Sequence, residues 1–396
     1  VKTLFDAGRL QMTDAIRLTL DSLNAYAAEA PDWVCAWSGG KDSTALVTFL
    51  AWAIDAGKVP RPRSFSVLYA DTRVEIPPLW LAAQDIRAEL ADRGIPVRVV
   101  LPPVAKRLLP YVLGRGVPPP NNNTLRYCTR QTKIEPMRAA VDEFMAATGR
   151  RVLMLTGVRL GESAARDQRI ALSCSRDGAE CGQGWFQQEF ADSPSVGTLA
   201  PLVHWRVCHV WEWLRHWAPL AEYGDWSTAL LADAYGGDEA EEVNARTGCI
   251  CCPLAHRDTA LEAVCRMPQW SYLSPLRRMR QLYLRLREPG QRLRKPGWET
   301  VGGKRVESWR MGPLTLDARR AGLQTVLGIQ AEVNDGARLL GRPPISILDA
   351  EEEAHVRACI ASGLWPRGWD GTEPRADTVS APDGRPGLFD DATLEN

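Results

Sequence analysis

Residues Val34 to Thr44 read V-C-A-W-S-G-G-K-D-S-T, and that order leaves few folds open. A short apolar run enters two glycines, a lysine and small hydroxyl residues, and the apolar stretch from Ala45 to Ile54 follows. The order is strand, tight loop, helix. Glycine lets backbone N–H groups approach a ligand closely. A helix start offers an anion unpaired N–H groups and the positive end of its dipole. Lys41 adds a point charge, and Ser38, Ser43 and Thr44 add hydroxyls. Ser38, Gly39, Gly40, Lys41, Asp42, Ser43 and Thr44 thus read as a phosphate cradle, without the G-x-x-x-x-G-K-[ST] spacing of a Walker A loop.

Periodicity around the loop predicts the rest of the fold. An amphipathic helix is expected over 10–29, and strands over Trp33–Trp37, Phe65–Ala70 and Val97–Leu101. Helices follow the loop to Ala56 and run from Pro77 to Arg93. A β-α-β-α-β order implies a parallel sheet with helices on both faces. Ligands bind such sheets beyond the C-terminal strand ends, where the loop and Asp71 fall. Residues 102–127 read as one long connection, Met137–Ala147 as a helix and Arg151–Thr156 as a strand. Leu199–His204 reads as an edge strand, Val210–Trp217 as a Trp-rich helix, and Leu314–Leu340 as a helix with another starting near Asp349. The expected division is a leading helix (1–30), an α/β domain (31–232), a cysteine-rich segment (233–275), an Arg-rich and helical C-terminal region (276–370) and a disordered tail (371–396).

A chain of 396 residues can bury a full core, and its formal net charge of zero excludes a generally basic nucleic-acid coat. No apolar run reaches membrane-spanning length and the N-terminus lacks a signal-like h-region, so a cytoplasmic location without membrane contact is expected. Of ten cysteines, Cys249, Cys251 and Cys252 crowd one turn. That spacing points to metal rather than to disulfides, and thiolates alone suit an iron–sulfur cluster or structural zinc. Cys35 reads as a core residue, and Cys208 and Cys359 as buried thiols. Arginines concentrate between 277 and 295, where Arg277, Arg278 and Arg280 form a candidate contact for a nucleic-acid backbone. A solvated helix face is the other reading.

S-G-G-K-D-S-T resembles the PP-loop of the ATP pyrophosphatases, which cleave ATP between its α and β phosphates. Tyr69-Ala-Asp-Thr-Arg-Val-Glu75, Gly157-Val-Arg-Leu-Gly-Glu-Ser163 with Arg166, and Pro201-Leu-Val-His-Trp205 before Val210-Trp211 resemble motifs of the phosphoadenosine phosphosulfate reductase superfamily. The chain departs from the last motif at His209, where that family carries Asp. G-R-G-V-P-P-P-N-N-N-T-L-R-Y-C-T-R-Q-T-K-I-E-P, then G-C-I-C-C-P and the C-terminal helices, resemble the DNA phosphorothioation sulfurtransferases of the Dnd C-subunit and Ssp D-subunit type. The likeness spans residues 30 to 365.

This resemblance implies a PP-loop (adenine nucleotide α-hydrolase-like) α/β fold with a C-terminal helical region. It also implies an ATP pyrophosphatase and sulfurtransferase that adenylates a DNA backbone phosphate and replaces a non-bridging oxygen with sulfur. ATP and Mg²⁺ are then expected at the loop, with Asp42 or Asp71 positioning the metal; a helix cap is the other reading of Asp42. Arg159 and Arg166 would make forked contacts to phosphate oxygens, Gly157 would lie at the bound nucleotide, Glu162 would orient an arginine, and Ser163 would donate to the nucleotide. Lys133 would neutralise the acceptor phosphate, giving Lys41, Asp42, Lys133 and Arg159 as the catalytic set. A [4Fe–4S] cluster is implied on Cys128, Cys249 and Cys252, with zinc as the alternative metal. The fourth ligand stays open among Cys251, Cys265, Cys181, Cys174 and an unligated iron. Implied partners are DNA, a cysteine desulfurase or other sulfur donor, and other subunits of a DNA-modification complex. Three other readings remain: a PP-loop sulfurtransferase for tRNA or a small molecule, a non-catalytic DNA-binding subunit, and a phosphosulfate reductase. The last would be expected to carry a C-terminal E-C-G-x-H, whereas Cys359 stands in R-A-C-I-A.

Overall fold

Parallel strands covered on both faces are written as unbroken apolar runs, and such runs build the first of two units in the computed structural model. The structure describes residues 10–27, 31–121, 126–150, 152–161, 185–187, 196–237, 249–255, 257–301 and 304–378. One unit gathers Val1–Asp71, Ile76–Val100 and Pro136–Thr247; the other gathers Thr72–Glu75, Leu101–Glu135 and Gly248–Asn396.

In the first unit, β1 (Asp32–Trp37), β2 (Ser64–Ala70), β3 (Val97–Val100) and β4 (Val152–Thr156) are joined by β5 (Trp185–Gln187) and β6 (Val196–Ala200). The sheet order is β3-β2-β1-β4-β6-β5, parallel except for β5. The chain steps from β1 to β2 and β3 on one side and places β4 on the other, so the crevice of this sheet opens between β1 and β4. Helix α1 (Met12–Ala27) precedes the sheet, α2 (Lys41–Asp55) and α3 (Pro77–Asp92) connect its first strands, and α4 (Glu135–Thr148) leads into β4. Ala140 and Val141 of α4 pack on the face that carries Val34, Leu68, Val152 and Met154. On the other face the rings of Trp37 and Tyr69 lie 4.7 Å apart.

Helix α2 is buried from Ser43 through Ala53, as expected of a helix apolar on all sides. Its flank is an aromatic cluster, with the Trp213 ring 5.1 Å from Phe49 and 5.6 Å from Trp52. Buried indoles need acceptors, and threonines supply them. Trp37 Nε1 donates to Thr44 (2.9 Å) and Trp213 Nε1 to Thr48 (2.9 Å), both on α2.

The expected edge strand Leu199–His204 is corrected to β6, Val196–Ala200, which lies inside the sheet. Pro201 explains the earlier end, because it has no N–H to continue the ladder. Helix α5 (Val207–Glu212) then widens into a π-type turn over Trp213–Trp217, and the short α6 (Ala229–Asp233) follows. His209 takes over an acidic residue's part at the start of α5. Its Nδ1 accepts the Arg206 N–H at 3.1 Å, and its Nε2 lies 2.9 Å from the Leu10 carbonyl oxygen. Cys208 beside it is half-buried rather than buried.

The second unit is mostly helical: α7 (Thr259–Arg266), α8 (Arg278–Arg285), α9 (Leu316–Leu339) and α10 (Ala350–Ala361). The connection expected over 102–127 carries helical turns at Val104–Lys106 and Pro110–Gly114. An antiparallel hairpin, β7 (Arg292–Val301) with β8 (Lys304–Leu314), stands where the sequence pattern suggests only an Arg-rich stretch. Asp349 and Glu352 form a reciprocal capping box at the start of α10 (2.8 and 3.0 Å). The same carboxylates meet Arg73 (2.9 Å to Asp349) and Arg107 (3.2 Å to Glu352). Order also persists past Gly371, correcting the expected start of the tail. The Arg294 N–H donates to Pro374 at 2.9 Å, and Ala376–Thr378 form a 3-10 turn. No described helix is long and apolar enough to cross a membrane.

Candidate active site and cysteine site

Strand β1 delivers the loop to the C-terminal edge of the sheet. Gly39 takes φ +73°, a backbone conformation that favours glycine, beside the Tyr69 ring. Gly40 precedes α2 without a side-chain cap of its own; the Tyr235 hydroxyl takes the Lys41 N–H, and the rest of the first turn keeps its positive end toward the loop. The loop is braced from within. The Ser38 N–H donates to Ser43 Oγ (3.2 Å), and Ser43 Oγ donates to the Gly40 carbonyl (3.1 Å). Thr44 Oγ1 in turn lies 3.3 Å from the Gly39 carbonyl.

Gly157, directly after β4, is required by packing. A Cβ there would lie 2.8 Å from the Asp42 carbonyl oxygen and 3.0 Å from the Ser43 Cα. The two strand ends therefore close on the first turn of α2, in the crevice between β1 and β4. Buried Arg159 crosses this gap and donates through Nε to Asp42 Oδ1. Asp42 Oδ2 also holds Lys41 Nζ at 3.0 Å. The carboxylate of Asp42 thus joins two cations and does not cap the helix, which removes that reading. Asp71 is buried at the end of β2, its N–H donating to the Val100 carbonyl at 3.1 Å. Glu162, Ser163 and Arg166 lie outside the described residues.

Tyr235 was not legible in the sequence. Its hydroxyl accepts the Lys41 backbone N–H at 3.0 Å, and the Lys41 ammonium stands 5.2 Å from its ring centroid. Nothing in A-Y-G-G-D announces that part, since the contact spans 194 residues.

The cysteine site belongs to the second unit. Cys249 bridges Glu75 in a short antiparallel pairing, and the Ile250 N–H donates to Val74 at 2.6 Å. Two non-glycine residues with left-handed backbone flank that pairing, Arg73 at φ +67° and Cys251 at φ +48°. Each such residue costs about 1–2 kcal/mol, and strain of this kind gathers at functional sites. The pairing orients the neighbouring cysteines differently. Cys128, Cys249 and Cys252 lie within electrostatic reach of one another. Cys251 turns away, its Sγ 3.3 Å from the Leu276 carbonyl oxygen, and senses Asp258 and Arg280 instead. Cys265, on α7, senses Arg277 and Asp258. The five candidates therefore separate into three and two.

Burial raises the Cys249 thiol to about 12, opposed by the charge of Lys133 and reinforced by Cys252, Glu75 and Cys128. Burial also raises Cys128, against a lowering hydrogen bond from Thr129. Such groups remain thiols until a cation draws the protons off, so they suit ligation better than free nucleophilic attack. Glu75 is not a competing donor, because Oε1 accepts from the Thr72 N–H (3.1 Å) and Oε2 from the Val74 N–H (3.2 Å). No group of three His, Cys, Asp or Glu among the described residues is arranged to hold a single metal ion. Cys35 and Cys359 are buried, as expected, and Cys174 and Cys181 lie outside the described residues.

The arginines named as a candidate nucleic-acid contact, and those that follow them, lie in different surroundings. Arg278 is drawn to Glu332 of α9. Arg287 donates to the Pro253 carbonyl (2.9 Å), and buried Arg292 donates to the Gly312 carbonyl (2.9 Å). Arg277 and Arg280 line a cavity.

Residues 32–219 match the family model of the phosphoadenosine phosphosulfate reductase domain. Among solved structures, phosphoadenylyl-sulfate reductase from Candida auris in its phosphate complex is 14% identical over 52% of this chain and 86% of that one, with a TM-score of 0.32. FMN adenylyltransferase from Candida glabrata, with FMN and an ATP analogue, is 15% identical over 52% of this chain and 57% of its own (TM-score 0.32). The U34-tRNA thiolase of Methanococcus maripaludis with its [4Fe–4S] cluster is 14% identical over 69% of this chain and 79% of its own (TM-score 0.35). No curated protein matches the chain.

Proposed function

We propose that this chain, whose residues 32–219 are a phosphoadenosine phosphosulfate reductase-like domain of the PP-loop superfamily, is an ATP-dependent sulfurtransferase acting on a DNA backbone phosphate. One observation carries the reading: a glycine-built anion loop occurs in the same chain as three converging cysteines, Cys128, Cys249 and Cys252. Cys359, which stands in R-A-C-I-A, is buried within α10 and is not placed as a phosphosulfate reductase's nucleophile. The choice of DNA rests on the resemblance of the segments around Cys128 and Cys249 to phosphorothioation enzymes.

In this reading the loop binds the β and γ phosphates of ATP. A non-bridging oxygen of the phosphodiester attacks the α phosphate, and the bond to the β phosphate breaks with release of pyrophosphate. Negative charge grows on that leaving group. Fixed N–H donors at the start of α2 and the Lys41 ammonium stabilise it without reorganising, and donors held ready in this way supply much of the rate enhancement in many enzymes. Tyr235 and Asp42 hold Lys41 in place from both ends. Sulfur at the oxidation level of sulfide then attacks the activated phosphorus and AMP departs, leaving a phosphorothioate. Asp71, and Asp42 once it releases Arg159 or Lys41, are the carboxylates that would position a Mg²⁺ ion.

The all-sulfur donor set fits a [4Fe–4S] cluster. Cys128, Cys249 and Cys252 would hold the cluster, which when bound supplies positive charge and an iron able to carry sulfur. Lys133 offsets the thiolate charge there, and Cys251 takes no part.

The test is anaerobic purification with iron, sulfide and zinc measured, followed by pyrophosphate release with DNA, with tRNA and with neither. Iron and sulfide in about equal amounts and release stimulated by DNA are expected. Stimulation by tRNA alone would move the acceptor to RNA, and zinc without iron would remove the cluster.

A further inference from the structure

The second unit contains a cavity of about 410 Å³ whose charged lining is four arginines, Arg257, Arg266, Arg277 and Arg280, against two carboxylates, Asp258 and Glu262. Glu262 pairs with Arg257 at 2.7 Å, and Asp258 Oδ1 caps α7 by accepting the Leu261 N–H at 3.0 Å. The other Asp258 oxygen, Oδ2, is buried without a hydrogen-bond partner among the described residues, and burial raises this carboxyl above its ordinary range. Arg280 is aimed by a 2.7 Å bond from Nη1 to the Ala255 carbonyl. Among the described residues, neither Arg266 nor Arg277 has a carboxylate at ion-pair distance. A basic residue at a helix end complements the helix dipole, which accounts for Arg266 on the last turn of α7. It does not account for Arg277 and Arg280, which come from another segment and converge on the same cavity. Glu262 acts electrostatically on Arg266 and Arg277, and Asp258 on Arg280, but four cations against two carboxylates leave the lining an excess of positive charge that favours an anion.

We infer that this cavity is a phosphate-ester site, separate from the ATP loop, that holds a nucleotide-sized anion through forked contacts from Arg266, Arg277 and Arg280. Guanidinium groups match the two-oxygen edge of a phosphate, and the volume lies in the range of small-molecule sites. Its lining includes Cys251, the residue between Ile250 and the ligand candidate Cys252. A phosphate seated here therefore borders the cysteine turn within one unit. The shared chemistry is a phosphate ester, supplied either by a nucleic-acid strand or by a free nucleotide.

The experiment uses the full chain and reads binding without turnover, so it can fail while the sulfurtransferase reading stands. A labelled single-stranded 12-mer is titrated by anisotropy across a salt series, and AMP and inorganic phosphate by calorimetry. The variants are Arg266→Ala with Arg277→Ala, the same pair changed to lysine, and Arg320→Ala as an exposed control on α9. If the strand is the ligand, the alanine pair weakens it at least tenfold and flattens the logarithmic salt slope by about 1.4, at roughly 0.7 per phosphate contact. The lysine pair keeps most of the slope at reduced affinity. If a free nucleotide is the ligand, AMP binding falls and the strand is unaffected. Circular dichroism and melting of each variant confirm that the fold is intact. Folded alanine-pair protein that binds every probe as the wild type does would overturn the site.

Discussion

The loop at 38–44 and the turn at 249–252 are both short, and both are proposed to act on the same chemistry, yet they are built in opposite ways. The loop is braced by its own neighbours: Ser38 to Ser43, Ser43 to Gly40, Thr44 to Gly39 and Trp37 to Thr44. The turn is held mainly from outside, among the described residues. It hangs on Val74 and Glu75, faces Cys128 and Lys133, and includes a cysteine in a left-handed conformation. The contrast separates two ways of making a site. An anion loop needs repeated N–H groups, which a few consecutive residues can offer, whereas thiols must be gathered from distant parts of a chain.

That contrast can be broken first at the cysteines. Cys249→Ser or Cys252→Ser should abolish iron binding, whereas Cys251→Ser should leave the iron content and visible absorbance within about a fifth of wild type, since its sulfur faces a carbonyl. Equal loss in all three variants would place Cys251 among the ligands. At the loop, Lys41→Ala should lower pyrophosphate release about 100- to 1000-fold with the fold unchanged, the usual effect of losing one preorganised donor. Full activity in that variant would leave the loop without a catalytic part.

Gly157→Ala sharpens the comparison by testing packing rather than chemistry. The added methyl meets the backbone of Asp42 and Ser43, so a destabilisation of about 1–3 kcal/mol is expected in denaturant unfolding, together with weaker ATP binding. The smallest effect lies at the foot of β1. Arg63 and Ser64 bond the buried Asp32 carboxyl, and the bond from Arg63 holds it below its ordinary range against the opposing effect of burial. A lowered carboxyl contributes stability above its unfolded value and loses it as pH falls through the folded one. The difference in melting temperature between wild type and Asp32→Asn should therefore be largest near neutrality and shrink below pH about 3.8. A constant difference from pH 7 to 3 would mean that Asp32 acts by shape alone.

Much of the fold was legible because its signals are local. β1, β2, β3 and β4 lie within a residue or so of the apolar runs that announced them, as parallel strands buried on both faces should. The hairpin β7–β8 was not anticipated, although Gly302-Gly303 between two extended runs is a hairpin signal; the density of arginine there masks it. Some of those arginines are used within the protein itself. A guanidinium can also bond its own protein's carbonyls, and Arg287 and Arg292 do so. Sequence spacing carries no information about which use prevails.

What the sequence determined alone is the set of near-neighbour rules: a strand that ends in glycines, a helix that starts without a cap, and the donor types present at each turn. Those follow from sterics and hydrogen bonding within a few residues. Tertiary structure alone decided that Tyr235 meets Lys41, that Arg159 meets Asp42, and that three cysteines converge while Cys251 and Cys265 do not. Each of those pairings closes a loop of many residues. Its stability comes from everything packed around it, which no short motif can encode.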